Sequence, residues 1–164
     1  MVNLEAYGDK EEVLARLAQS RRALLDRLRE AETSWLTTPL REGAWTPLMV
    51  AEHVALVEES TARVLRRLRR VASGESLPPV PFVPGEFKEG KPQAPEPVRP
   101  KGGLSLGEVL ALLERTRGLL LEEAEKADPH NPATFPHPFF GPLTALGWLQ
   151  AALYHEEHHV KALG

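Results

Sequence analysis

His155 and His159 stand four residues apart near the C-terminal end of the chain. If that stretch is helical, both imidazoles lie on one face, one turn apart, which is a common way to grip one metal ion. His53 is the remaining candidate ligand. Val50, Val57 and Val64 share its helical spacing and turn it toward the interior. The chain has no cysteine, so any metal site must use histidine and carboxylate. Three neutral imidazoles suit zinc or nickel, with manganese or iron also permitted. Three protein ligands leave one or more positions for water or substrate, the pattern of a catalytic site more than of a closed structural one.

Four helical segments are available to position these residues. The first runs from about Asp9 to Glu30, with Leu14, Leu17, Leu24, Leu25 and Leu28 on one face and charges on the other. The second opens at Thr46-Pro47, an N-cap followed by a proline that needs no amide partner, and continues to about Ala72. The third opens at Ser105, which has capping-box spacing to Glu108, and ends near Asp128-Pro129. Leu106, Val109, Leu110, Leu113, Leu120 and Leu121 form its apolar face. The fourth follows Gly141-Pro142 and runs to about Leu163, with Leu146, Leu149, Leu153 and Val160 inward. No segment shows sustained strand alternation.

Residues from about 74 to 104 carry Pro78, Pro79, Pro81, Pro84, Pro92, Pro95, Pro97 and Pro100 and are expected to be extended and non-helical. Neither flanking half can bury a core with two helices, so this segment reads as a crossover within one all-α domain, residues 1–164. His53 lies roughly 9 Å from the start of its helix, and His155 and His159 roughly 12 and 6 Å from the end of theirs. Antiparallel second and fourth helices put all three at one level. Parallel helices would offset them by roughly 10–17 Å. The antiparallel case is an up-down-down-up four-helix bundle. It needs a connection along a helix roughly 40 Å long, which about 30 extended residues can span.

The formal net charge is −3 and the pI near 6.1, against a nucleic-acid partner. No apolar run reaches the roughly 18 residues of a membrane span, and Met1–Lys10 has no apolar signal core, so a cytoplasmic location is expected.

The same residues admit rival readings. His155-Glu156-Glu157-His158-His159 fits the H-E-x-x-H pattern of zinc proteases, but no Glu, Asp or His follows His159 to complete it. Glu156 remains a candidate base acting on a metal-bound water, against the alternative of a solvated helix residue. Glu156 and His159 also form half of a di-iron signature, whose second copy fails because Val50 stands three residues before His53. His158 is expected to face outward, and His130 and His137 to be loop residues. Arg66, Arg67, Arg69 and Arg70 complement a helix dipole, or else form an anion patch.

Three motifs, taken together, resemble the DinB/YfiT-like family over nearly the whole chain. They are Ala44-Trp45-Thr46-Pro47 through Ala51-Glu52-His53-Val54-Ala55; Leu104-Ser105-Leu106-Gly107-Glu108-Val109-Leu110; and His137-Pro138-Phe139-Phe140-Gly141-Pro142-Leu143-Thr144, followed by Trp148-Leu149, His155 and His159. The resemblance implies an up-down-down-up bundle with a histidine triad at His53, His155 and His159. It further implies a metal-dependent enzyme using a low-molecular-weight thiol as an S-transferase. The alternatives are a metal-dependent hydrolase or a non-catalytic, stress-related metal- or ligand-binding bundle. A small-molecule substrate and a possible homodimer follow from the same resemblance.

Overall fold

Each long helix begins where its cap dictates. The structure, a computed structural model, describes residues 2–164. Asp9 and Glu12 form a reciprocal capping box that starts α1 (Lys10–Glu30). A single-turn α2 (Thr33–Leu36) follows. The Thr46 hydroxyl accepts from the Met49 amide and starts α3 (Pro47–Ala72) with proline in its first turn. Ser105 and Glu108 box the start of α4 (Leu106–Lys126), and Thr144 caps α5 (Ala145–Leu163).

The directions of the helices follow from which ends meet. Val13 and Leu17 of α1 pack with Leu65 and Leu68 near the end of α3, with Leu120 and Ala124 near the end of α4, and with Leu149 at the start of α5. At the other end Leu24 and Leu28 meet Val50, Val54, Val109 and Leu163. Thus α1 and α5 run one way while α3 and α4 run the other. The long connection between α3 and α4 makes that arrangement possible. No helix among the described residues is long and apolar enough to cross a membrane.

The crossover contains structure that proline content conceals. Strands β1 (Glu86–Lys88) and β2 (Lys91–Gln93) form a short antiparallel hairpin, and Glu96–Val98 is a single 3-10 turn, a correction to the expectation of a wholly extended segment. A second hairpin, β3 (Phe135–His137) with β4 (Gly141–Leu143), precedes α5. Strands this short carry too few residues for alternation to register. The two hairpins are docked: the Gly85 amide donates to the Pro138 carbonyl at 3.0 Å, and the Phe87 and Phe139 rings meet edge to face. A side chain on Gly85 would overlap the Phe139 ring, so the approach requires glycine there.

Two apolar clusters divide the interior, and a polar layer lies between them. Arg21 of α1, Glu58 of α3, Thr116 and Arg117 of α4 and Glu156 of α5 meet at one level, a contribution from every long helix. Arg21 donates to Glu58 at 3.1 Å and to Glu156 at 2.7 Å. Arg117 donates to Glu58 at 2.7 Å and to Glu156 at 2.9 Å. Each arginine also reaches a backbone carbonyl, Leu113 for Arg21 and Leu17 for Arg117, and Thr116 donates to Glu58. Burial works against the Arg117 charge, but Glu156 and Glu58 outweigh it and its pKa is raised. Two cations and two anions, all hydrogen-bonded, are what a low-dielectric interior tolerates. Two expectations are corrected here: Arg21 lies on the buried face of α1, and Leu121 of α4 is exposed.

Candidate metal centre

The antiparallel course of α3 and α5 brings the start of one to the end of the other, and His53, His155 and His159 converge there. One ligand atom from each can be chosen so that all three lie within 4.8 Å of one another, the only such cluster of potential metal ligands among the described residues. His53 Nε2 and His155 Nε2 are 2.9 Å apart. For metal–nitrogen bonds of about 2.0–2.1 Å, two imidazoles on a tetrahedral ion stand roughly 3.3 Å apart. The spacing therefore needs only a small outward adjustment to admit an ion.

The surroundings prepare His53 for this role. Its Nδ1–H donates to the Val98 carbonyl at 2.6 Å, which places the proton on Nδ1 and leaves the Nε2 lone pair facing the other histidines. The 2.9 Å contact suits either an Nε2–H of neutral His155 donating to His53 or two lone pairs turned on one cation, and the donor set suits a divalent metal. Val98 sits in the crossover, which Glu52 holds in place by accepting from the Lys101 and Gly102 amides at 3.0 and 3.1 Å. Gly102 has φ +80°, a backbone conformation that favours glycine. Glu52 and the Val98 carbonyl are parts of the site that the sequence conceals. A glutamate beside a histidine looks like a surface residue, and a backbone carbonyl carries no sequence signal.

All three ligands are held neutral. Burial lowers the pKa of His53, partly opposed by the Val98 bond. Burial, and then the neighbouring His159 and His53, push His155 well below its ordinary value. Burial, with His53 and His158, pushes His159 down to about 3. Neutral imidazole is the form that binds metal.

His137 is half-buried, and desolvation pushes its pKa down to about 4. Its Nδ1 accepts from the Phe139 and Phe140 amides, and its ring packs on Trp148, so it organises the β3–β4 turn. His158 is exposed and stacks on Tyr154, and His130 is exposed. Three of the four arginines at the end of α3 are engaged, Arg70 with Glu75, Arg69 with Glu123 and Arg67 with the Pro78 carbonyl, and Arg66 is exposed.

Glu156 requires a correction. Its carboxylate accepts from Ser20, Arg21 and Arg117 and is 2% exposed. It is not a solvated helix residue. With its oxygens occupied by these donors it offers no lone pair to a water at the triad, so the structure gives it a packing task and not the role of a base.

These pKa shifts make the metal-free protein acid-sensitive. An unfolded histidine binds a proton near pH 6.5, whereas folded His137 and His159 resist until about 4 and 3. Below pH 6.5 the unfolded chain therefore holds more protons, and stability falls as pH falls, by up to about 1.4 kcal/mol per pH unit for each histidine kept neutral. Urea unfolding of the metal-free protein at pH 7.5, 6.0 and 5.0 is expected to show a steadily falling midpoint, with a shallower fall in His137→Gln. A flat profile across that range contradicts the burial of these rings.

A model of the DinB superfamily matches residues 16–163. Among solved structures, one described as TT2238, a four-helix bundle protein, is 59% identical, with 94% of this chain and 97% of that chain covered and a TM-score of 0.74. No curated protein matches the chain. With α3, α4 and α5, their caps and the three histidines inside the matched region, the chain belongs to the DinB superfamily.

Proposed function

We propose that this chain is a divalent-metal-dependent enzyme that transfers a low-molecular-weight thiol to a small electrophile. Zinc or nickel suits its three imidazoles, and manganese or iron is compatible with them. The observation that carries the reading is the convergence of three neutral histidines from two helices, with His155 and His159 still partly exposed. A divalent ion held there would lower the pKa of a bound thiol or water and so supply a nucleophile near neutral pH. His53 is oriented for its part by Val98, and Trp45 walls the site with its ring 4.9 Å from that of His53. In the transfer, the thiol sulfur forms a bond to an electrophilic carbon, the leaving group departs with the bonding pair, and the thiol proton goes to solvent. No protein base is needed for that balance, which accords with Glu156 being occupied elsewhere. Hydrolysis uses the same residues but gains nothing from Glu156.

The saturation of Glu156 also favours one second reading, a metal- or ligand-binding bundle without turnover. The two readings separate in one assay. Protein reconstituted with zinc or nickel is mixed with glutathione, cysteine or mercaptosuccinate and with monobromobimane or 1-chloro-2,4-dinitrobenzene, and thiol loss is followed. Metal-dependent consumption, abolished in His159→Ala, supports transfer. Retained metal with no acceleration for any pair moves the binding reading ahead.

A further inference from the structure

The crossover hairpin builds a cavity of about 440 Å³ that shares Trp45 with the surroundings of the triad and is lined by Trp45, Glu86, Phe87, Lys88, Gln93, Ala94 and Arg99. We infer that this cavity is a recognition site for the carboxylate of a small molecule, with Arg99 and Lys88 holding the carboxylate and Trp45 and Phe87 flanking the rest. The inference rests on the proposed metal chemistry only in assigning the molecule's reacting end to the triad.

Position, charge and shape point the same way. Trp45 is shared between the cavity and the metal centre, since its ring also lies on His53. Arg99 directly follows Val98, whose carbonyl orients His53, so the residue that anchors a ligand and the residue that anchors His53 are consecutive. A molecule bound against Trp45 therefore touches a ring that also packs on His53. The volume falls within the range of about 300–1,000 Å³ usual for small-molecule sites.

The lining carries Arg99 and Lys88 against Glu86, an excess of positive charge in a chain whose net charge is −3. Seven of the fourteen arginines pair with a carboxylate, at Glu58, Glu59, Glu75, Glu123, Glu156 or Glu157. Neither Arg99 nor Lys88 has a carboxylate within 4.0 Å among the described residues. Arg99 Nε donates to the Ala94 carbonyl at 2.8 Å, which steadies the guanidinium by one edge and leaves its terminal nitrogens for an acceptor. A planar guanidinium held this way suits a carboxylate, which takes two parallel hydrogen bonds. The apolar rings of Trp45 and Phe87 set a limit on how polar the remainder of the ligand is.

The test uses full-length protein, metal-free and zinc-loaded, titrated calorimetrically at 0.1 M salt with succinate, succinamide, mercaptosuccinate and thioglycerol. Succinate is expected to bind at least about tenfold more tightly than succinamide in both forms, and Arg99→Gln or Lys88→Gln to remove that preference with zinc content unchanged. If mercaptosuccinate exceeds succinate only in the zinc-loaded protein, the carboxylate belongs to the thiol. If the two bind equally, it belongs to the electrophile. Equal binding of succinate and succinamide, or a preference untouched by both substitutions, overturns the inference. Failure to retain zinc with the succinate preference intact overturns the metal reading and leaves the carboxylate site standing.

Discussion

Glu156→Ala is expected to lower stability by about 3–5 kcal/mol, because it strands buried positive charge. In the native layer Arg21 and Arg117 are balanced by Glu58 and Glu156, and every one of these side chains is hydrogen-bonded. Removing Glu156 leaves two guanidiniums sharing the Glu58 carboxylate in the interior. At about 2–4 °C per kcal/mol for a chain of this size, the melting temperature falls by roughly 6–20 °C. Glu156→Gln keeps the shape and one acceptor oxygen and is expected to cost less. The double variant Arg21→Met with Glu156→Leu removes a cation and an anion together, keeps the Arg117–Glu58 pair and recovers most of the loss. A strong favourable coupling between the two sites is the signature of a buried ion pair. Thermal and urea unfolding of wild type, Arg21→Met, Glu156→Leu and the double variant closes the cycle. A loss below about 1 kcal/mol for Glu156→Ala shows that these charges reach solvent and are not paired as described.

Metal affinity is expected to collapse when any one of the three histidines is removed. Zinc held by four protein ligands gains roughly 10–16 kcal/mol, or about 3 kcal/mol per ligand, so losing one costs on the order of a hundredfold in affinity. The cost here is no smaller, because a three-ligand site has fewer contacts left to retain the ion. His53→Ala and His159→Ala act from different helices and are expected to lose the ion alike after reconstitution and chelator challenge, with metal measured by mass spectrometry. His158→Ala is the control: its ring stacks on Tyr154 outside the cluster, and the ion is expected to stay. One equivalent retained by wild type and by His158→Ala, and lost by the other two, locates the metal between α3 and α5. Equal retention in all four proteins places any bound metal elsewhere.

Both predictions draw on features that differ in how far the chain alone reveals them. Helix starts are local events. Asp9 with Glu12, Thr46 with Pro47, and Ser105 with Glu108 satisfy the first free amides of their own helices, so their positions can be read without knowing the fold. The histidine triad was legible for a related reason. The i, i+4 spacing of His155 and His159 fixes one helical face, and axial rise places His53 at the same level once α3 and α5 are antiparallel.

The polar layer was not legible. Arg21, Glu58, Arg117 and Glu156 each look like surface residues along their own helices. Their burial is tolerable only because the other three arrive from other helices, and no local pattern encodes that. Leu121 shows the converse, an apolar residue at a core-like spacing that packing leaves outside. The crossover is mixed. Its prolines rule out a long helix, but the β1–β2 hairpin, the Val98 carbonyl at His53 and the unpaired Arg99 take their meaning from contacts with α3 and with the β3–β4 turn. Hydrogen-bond capping and helical periodicity operate within a few residues, and so they are written in the chain. Charge pairing, the orientation of His53 and the walls of the cavity join residues far apart in the chain, 135 positions for Arg21 and Glu156, and exist only once the helices have packed.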